Sequence, residues 1–287
     1  MIVITAATGN LGRHVVDALL ATRPPTDLTV AVRDPARAAD LAARGVGVRR
    51  ADYTEPATLR TAFAGAERVL LISSGDLAGG RAAQHQAAVE AAAAAGVRQL
   101  VYTSIYRADR STLGLAVDHH ATEQAIAAAG VPATILRNGW YLENYTEHLG
   151  PALAHGVILG AAGTGAIAAA SRRDFAEAAA AVLTGDAHVG QVYELLGDHA
   201  FTMAELAAVV AEVAGRAVAY QDMPEAAYRE ALSGFGLPPH VAAMLADSDA
   251  GIARGELTGT SDDLRRLIGR ATTPLRDAVI AAVRRSA

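Results

Sequence analysis

The sequence predicts an α/β fold: a doubly wound parallel sheet with helices on both faces, followed by a smaller, mostly helical C-terminal lobe. Three observations carry that expectation. Short runs rich in valine, isoleucine and leucine alternate with alanine-rich stretches of helical length, the pattern of successive βαβ units. The first run leads straight into a glycine-spaced turn at residues 6–12. After about residue 150 the runs shorten and helical patterns dominate.

The elements follow in order. Strands are expected at 1–5, 28–32, 46–50, 68–72, 99–103 and 133–137, each an apolar run of the length a buried strand needs. Helices are expected between them at 11–21, 35–43, 55–64, 80–95 and 119–129. Right-handed crossovers wind such units into a Rossmann-type sheet. The stretch AAVEAAAAAG looks like low complexity but reads as a packed helix, alanine being the strongest helix former, and it receives no functional role. Beyond residue 150, the segment 157–185 reads as a glycine-rich loop, a short strand and a helix. The segment from Gln191 reads as a strand, a turn and a helix whose Thr202 and Glu205 form a capping box. AVAYQDM is a further strand, and the chain from Met223 is helical with GLPPH as a break. The expected division is a nucleotide-binding domain at 1–150, to which later segments return, and a smaller substrate lobe at 151–287.

Composition sets limits on function. The chain has 287 residues, 52% hydrophobic and 19% charged, with a net charge of −5. That balance offers no attraction to nucleic acid or anionic lipid, and no apolar run reaches the ~20 residues of a membrane span. With the first strand at the N-terminus, no signal peptide is expected, and the location expected is cytoplasmic. Cysteine is absent, which excludes disulfides and thiolate nucleophiles. All 25 Lys+Arg residues are arginine. A Schiff base, a phosphate-loop lysine and a Tyr-x-x-x-Lys relay are therefore impossible.

The turn Ala6-Ala7-Thr8-Gly9-Asn10-Leu11-Gly12 is a dinucleotide fingerprint with its first glycine replaced by Ala6. Gly9 lets backbone approach phosphate, Gly12 lets helix pack on strand, and the helix N-terminus offers N–H groups to the pyrophosphate. The plain alternative is a strand–helix turn without a ligand. An NAD site usually has a carboxylate about 20 residues past the glycines. Here Arg33 stands 21 residues after Gly12, which suits the 2′-phosphate of NADPH, with Arg37 one turn on. Asp34, before Pro35, reads as a helix cap. Asp52 either accepts from the adenine amino group or caps the next helix. Ser73, Ser74 and Gly75 end the fourth strand beside the cofactor track.

The fifth strand ends in Thr103 and Ser104, where short-chain dehydrogenases carry a catalytic hydroxyl, but no lysine relay follows. His119 and Glu123 lie four apart on one helix face. With only Asp118 as a doubtful third ligand they are too few for a metal. His119 is a candidate proton donor, and the plain reading of the pair is a solvated helix surface. Asp174, at a helix start, reads as structural.

TAATGNLG, VRDPARA, LLISSG, VYTSI, LGLAVDHHATE, RNGWYLENY and LADSDAGIARGEL together resemble the NmrA-like, atypical short-chain dehydrogenases. Within them the chain is most similar to the bacterial type 2 NADPH:quinone oxidoreductases. The resemblance covers nearly the whole chain. It implies NADPH on the sheet, a small-molecule quinone in the cleft, no flavin, and hydride transfer giving a hydroquinone. In RNGWY it implies that Arg137, Asn138 and Gly139 line the nicotinamide end. Trp140 and Tyr141 would offer flat faces to the quinone, and Tyr141 and Asn144 would act on its oxygen. Core packing is the plain alternative for Trp140 and Tyr141. A non-catalytic NADP-sensing regulator is the alternative for the whole protein, and the sequence leaves room for a homodimer.

Overall fold

A computed structural model describes residues 1–286. In chain order the elements begin β1 (Ile2–Thr5), α1 (Asn10–Leu20), β2 (Leu28–Val32), α2 (Ala39–Ala43), β3 (Gly47–Arg50), α3 (Pro56–Phe63), β4 (Arg68–Leu71) and α4 (Arg81–Ala94). They continue with β5 (Gln99–Ile105), α5 (Gly114–Ala129), β6 (Ala133–Asn138), α6 (Glu143–Thr146), α7 (Leu149–His155), β7 (Val157–Gly160), β8 (Ala166–Ile167) and α8 (Arg172–Thr184). The remainder is β9 (Val192–Leu195), β10 (Phe201–Thr202), α9 (Met203–Ala214), β11 (Ala219–Asp222), α10 (Glu225–Gly234), α11 (Pro239–Ala253), α12 (Asp263–Ile268) and α13 (Leu275–Ser286).

The chain divides into two compact units. The first comprises 1–108, 117–138 and 172–194; the second comprises 109–116, 139–171 and 195 onward. The first unit holds a seven-stranded sheet in the order β3-β2-β1-β4-β5-β6-β9, with β1 to β6 paired in parallel. Strands buried on both faces need apolar side chains on both, and β1 and β2 are buried along their whole length. β5 runs two residues past its predicted end because its pairing with β6 continues through Ser104–Arg137 and Ile105–Asn138. The predicted helix at 35–43 is split into a 3₁₀ turn over Pro35–Ala38 and α2, and α5 begins earlier than predicted, at Gly114. In α4, Ala88, Val89, Ala91 and Ala92 are buried, so the alanine run lets the helix sit close on the core. α8 joins this unit and packs against α1. Asp174 lies in its first turn, fully buried, where a carboxylate complements the helix dipole. The strand order reverses between β1 and β4, the switch point whose carboxyl edge is the usual ligand crevice of such sheets.

In the second unit β7 pairs in parallel with β11 and β8 pairs antiparallel with β10. The capping box forms as the sequence reads: Thr202 Oγ1 accepts from the Glu205 N–H, and the Glu205 carboxylate accepts from the Thr202 N–H. The GLPPH break separates α10 from α11. No helix among the described residues is long and apolar enough to cross a membrane.

Candidate functional site

The turn after β1 is shaped for a pyrophosphate. Gly9, the N-cap residue of α1, supplies no side-chain cap. Its own N–H donates to the Ala6 carbonyl at 2.9 Å and its carbonyl accepts from Arg13. The first N–H groups of α1 therefore face outward without an internal acceptor, the arrangement that binds phosphate. A Cβ on Gly12 would stand 2.4 Å from the Ala6 carbonyl oxygen and 2.6 Å from the Ala7 Cα, and one on Gly9 would stand 3.2 Å from the same oxygen. Both glycines are thus fixed by backbone, and Gly12 sets how closely α1 approaches β1. Ala6 takes the left-handed conformation, φ +49°, the conformation that the glycine it replaces adopts without strain. Ala7 and Leu11 are buried beneath this turn, Thr8 is half-buried, and Asn10 is exposed.

At the end of β2, Arg33 is exposed and makes no hydrogen bond or ion pair among the described residues, so its guanidinium fork is open. Asp34 caps the following turn, accepting from the Ala36 N–H at 3.0 Å. Asp52 does not cap α3, whose N-cap is Glu55 without a side-chain cap; instead one carboxylate oxygen accepts from both the N–H and the hydroxyl of Thr54, at 2.9 and 2.8 Å. The Thr54 N–H holds this carboxyl below its ordinary range, and the charge of Arg33 adds to the effect.

The ends of β4 and β5 carry a polar network. The Ser73 N–H donates to Thr103 Oγ1 at 2.9 Å. The Ser74 N–H donates to His85 Nε2 at 2.8 Å, while the Ser74 hydroxyl is engaged by Gln84. Ser74 thus braces the start of α4, whereas Ser73 remains half-buried and Gly75 is exposed, with open space where a Cβ would sit. Because His85 Nε2 accepts, its Nδ1 carries the proton and donates to Thr122 Oγ1 at 2.8 Å. His119 Nδ1 shares a 2.8 Å hydrogen bond with Tyr102 Oη. Burial drives both histidines toward the neutral form, His85 to about 4 and His119 to about 3.

The solvated His119–Glu123 pair is therefore corrected. Both side chains turn inward and to different partners. His119 is 7% exposed and neutral at pH 7, so it is no cationic acid. Glu123 grips Arg137 in a bidentate pair, 3.0 Å to Nε and 2.7 Å to Nη2, and accepts from Ser104 Oγ at 2.6 Å. Glu194 binds Arg137 Nη1 at 2.9 Å and accepts from the Arg107 N–H. Arg137, expected at the nicotinamide end, sits within this cluster. Two carboxylates already occupy its guanidinium, and the cluster ties α5, β6 and β9 together. Asn138 is buried and its carbonyl accepts from the Tyr106 N–H.

In the second unit, Gly139 has no room for a side chain, since a Cβ would lie 2.9 Å from the Leu195 carbonyl oxygen. Trp140 is 8% exposed. It packs into this unit, as the plain alternative reads it, with little of its face exposed. Tyr141 is part-exposed and bridges to Ala170, with Trp140 and Leu142 bonding Ala170 on either side. Asn144 follows on α6, part-exposed. A cavity of about 160 Å³ opens beside Leu142, lined by Ala169, Phe201 and residues 272–275.

Sequence reasoning missed Arg81 and His85, both buried on α4. The available signal was their spacing: an arginine and a histidine four apart share one face of an otherwise alanine-rich helix.

Known proteins share this fold. The NmrA-like family matches residues 1–252. Quinone oxidoreductase 2 of Escherichia coli K12 is 49% identical over 97% of both chains. The crystal structure of an E. coli NADPH-dependent quinone oxidoreductase complexed with NADPH superposes with a TM-score of 0.96 at 48% identity, covering 99% of this chain and 100% of the other. The Citrobacter sp. triphenylmethane reductase complexed with NADP(H) gives a TM-score of 0.95 at 37% identity, over 98% and 100% of the two chains. This protein belongs to the NmrA-like family.

Proposed function

We propose that the protein reduces quinones to hydroquinones by direct transfer of hydride from NADPH. The observation that carries the reading is the near-complete superposition on the NADPH-complexed E. coli enzyme, joined here to a turn that fits the same cofactor. The outward N–H groups of α1 and the glycine approach suit the pyrophosphate, and the open Arg33 suits the 2′-phosphate. NADPH supplies the hydride from its nicotinamide ring. The chain's own residues hold and orient it: residues 6–12 at the diphosphate, Arg33 at the 2′-phosphate, and Ser73 and Gly75 along the track. Tyr141 and Asn144 are assigned to the quinone. Asp52, Arg137 and Asn138 shape these edges from behind. A quinone accepts hydride readily, so the reaction does without the lysine relay of other short-chain dehydrogenases. The same reading puts the activity in the cytoplasm and leaves room for a homodimer.

The test is NADPH oxidation by the purified protein across a panel of benzoquinones and naphthoquinones, followed by the fall of NADPH absorbance. Turnover with NADPH, and much slower turnover with NADH, is expected. Tight NADP⁺ binding without oxidation by any quinone would overturn the reading and leave a cofactor-sensing regulator in its place.

A further inference from the structure

Arg81 is the most anomalous side chain of the first unit. It is 6% exposed, its Nε is fully buried with no hydrogen-bond partner, and no carboxylate pairs with it among the described residues. A buried guanidinium is normally held by an acid, so one without an acceptor calls for an explanation. The carboxylates of the neighbourhood are engaged elsewhere. Asp76 accepts from the Ala78 N–H and from Gln84 Nε2, and Glu123 is bound by Arg137 and Ser104.

The surroundings add positive potential. Arg81 is the first residue of α4, and the N-cap Gly80 gives that helix no side-chain cap, so the positive end of the helix dipole lies at the same point. Helical side chains lean toward the N-terminus, and Arg81 shares a face with His85. His85 lies against Tyr102 and His119, with ring centroids 5.5 and 6.4 Å apart. Burial is the main cause that keeps the histidines neutral, and the charge of Arg81, which reaches all three rings, adds to it. A cation without a counter-ion, a helix N-terminus and three neutral rings thus meet at the carboxyl edge of β4 and β5.

We infer that Arg81 is an oxyanion receptor for the substrate, receiving the quinone oxygen that becomes anionic as hydride arrives. This rests on the quinone-reductase reading. The hydride brings two electrons and one proton to the quinone and leaves the hydroquinone monoanion. Its oxyanion accepts from the Arg81 guanidinium and then takes one proton from water. The diphosphate and the 2′-phosphate already have their own partners at α1 and Arg33, which leaves the substrate as the source of this anion.

The test compares wild type with Arg81→Met, similar in length and uncharged. Three quantities are measured: quinone turnover, NADP⁺ affinity by displacement of NADPH fluorescence, and the yellow phenolate band of 4-nitrophenol titrated with pH on the NADP⁺-bound protein. Arg81→Met is expected to lower kcat for quinones about 100-fold, to leave NADP⁺ affinity within about twofold, and to keep or raise Tm, because it removes an uncompensated buried charge. Wild type is expected to lower the pKa of bound 4-nitrophenol by about one unit, and the variant to abolish that shift. Unchanged turnover, a parallel loss of NADP⁺ affinity, or a fall in Tm with no phenolate shift in wild type overturns the inference. If wild type reduces no quinone at all, the proposed function fails, while the phenolate titration, which needs no turnover, still decides for or against Arg81.

Discussion

Gly12→Ala tests the central structural claim, that backbone contact rather than chain flexibility fixes the cofactor turn. The added Cβ would fall 2.4 Å from the Ala6 carbonyl oxygen and 2.6 Å from the Ala7 Cα. Ordinary carbon contacts begin near 3.5 Å, so α1 must retreat by roughly 1 Å. The retreat is resisted because Leu11, Val15, Val16 and Leu19 of α1 are buried and α8 packs on the same helix. Overpacking of this kind costs about 1–3 kcal/mol, which for a chain of this size lowers Tm by roughly 3–10 °C. The same displacement moves the helix-start N–H groups away from the pyrophosphate, and a loss of about 1.5–3 kcal/mol in charge-assisted bonding weakens NADPH by about 10–100-fold. Thermal unfolding and NADPH fluorescence titration read the two effects. A variant with unaltered Tm and unaltered NADPH affinity would show that the turn yields without cost, and the argument for Gly12 would be wrong.

Ala6→Gly relieves a left-handed alanine, φ +49°. The conformation costs about 1–2 kcal/mol and glycine's unfolded-state entropy returns about 0.5–1 kcal/mol. A rise in Tm of about 1–3 °C with tighter NADPH is expected, and a fall in both would show that the alanine belongs to this site's fit. Arg33→Asp is expected to weaken NADPH by about 10–100-fold and NADH far less; equal losses in two parallel titrations would remove Arg33 from the 2′-phosphate. Asp249 is buried beside the Ala161 N–H, which it accepts at 2.8 Å, and burial raises its pKa to about 6. The folded state therefore keeps its proton longer than the unfolded chain does, and this residue's contribution to stability rises as pH falls from about 6 toward 4. Asp249→Asn should stabilise the protein by roughly 3 kcal/mol near pH 8 and by little near pH 4, measured by denaturant unfolding; an equal difference at both pH values would refute the assignment.

What the sequence made legible was the part governed by local rules. Buried parallel strands must be apolar on both faces, so β1, β2 and β4 stand out as unbroken runs, and β2 falls on its predicted bounds. The capping box and the Asp34 cap are contacts within a few residues, and both form as expected. What stayed hidden depends on partners far along the chain. The i,i+4 spacing of His119 and Glu123 places them on one face, but not on the inward one. That is settled by Tyr102 and Arg137, 17 and 14 residues away. In an alanine-rich helix no hydrophobic stripe marks the buried side, so a charged or ring residue reads as solvated. Arg81 is the extreme case, because burying an unpaired arginine is what sequence patterns argue against. The strain at Ala6 was legible as a question, because the fingerprint expects a glycine at that turn, and the structure answers it with a positive φ.

The same comparison bears on how the reaction obtains its proton. The chain has no lysine, and arginine does not release a proton at physiological pH. The histidines beside the carboxyl edge of β4 and β5 are neutral, held to about 4 and about 3 by burial, and burial pushes the Tyr102 hydroxyl above its ordinary value. None of these groups is a ready acid at pH 7. A carbonyl that must be protonated as hydride arrives is a poor substrate for such an edge. A quinone suits it, because its reduced form persists as a delocalised anion until water protonates it. On the proposed reading, the fixed positive charges of the unit, Arg33 and Arg81 together with the N-termini of α1 and α4, would hold anionic oxygen in place and leave proton transfer to the solvent.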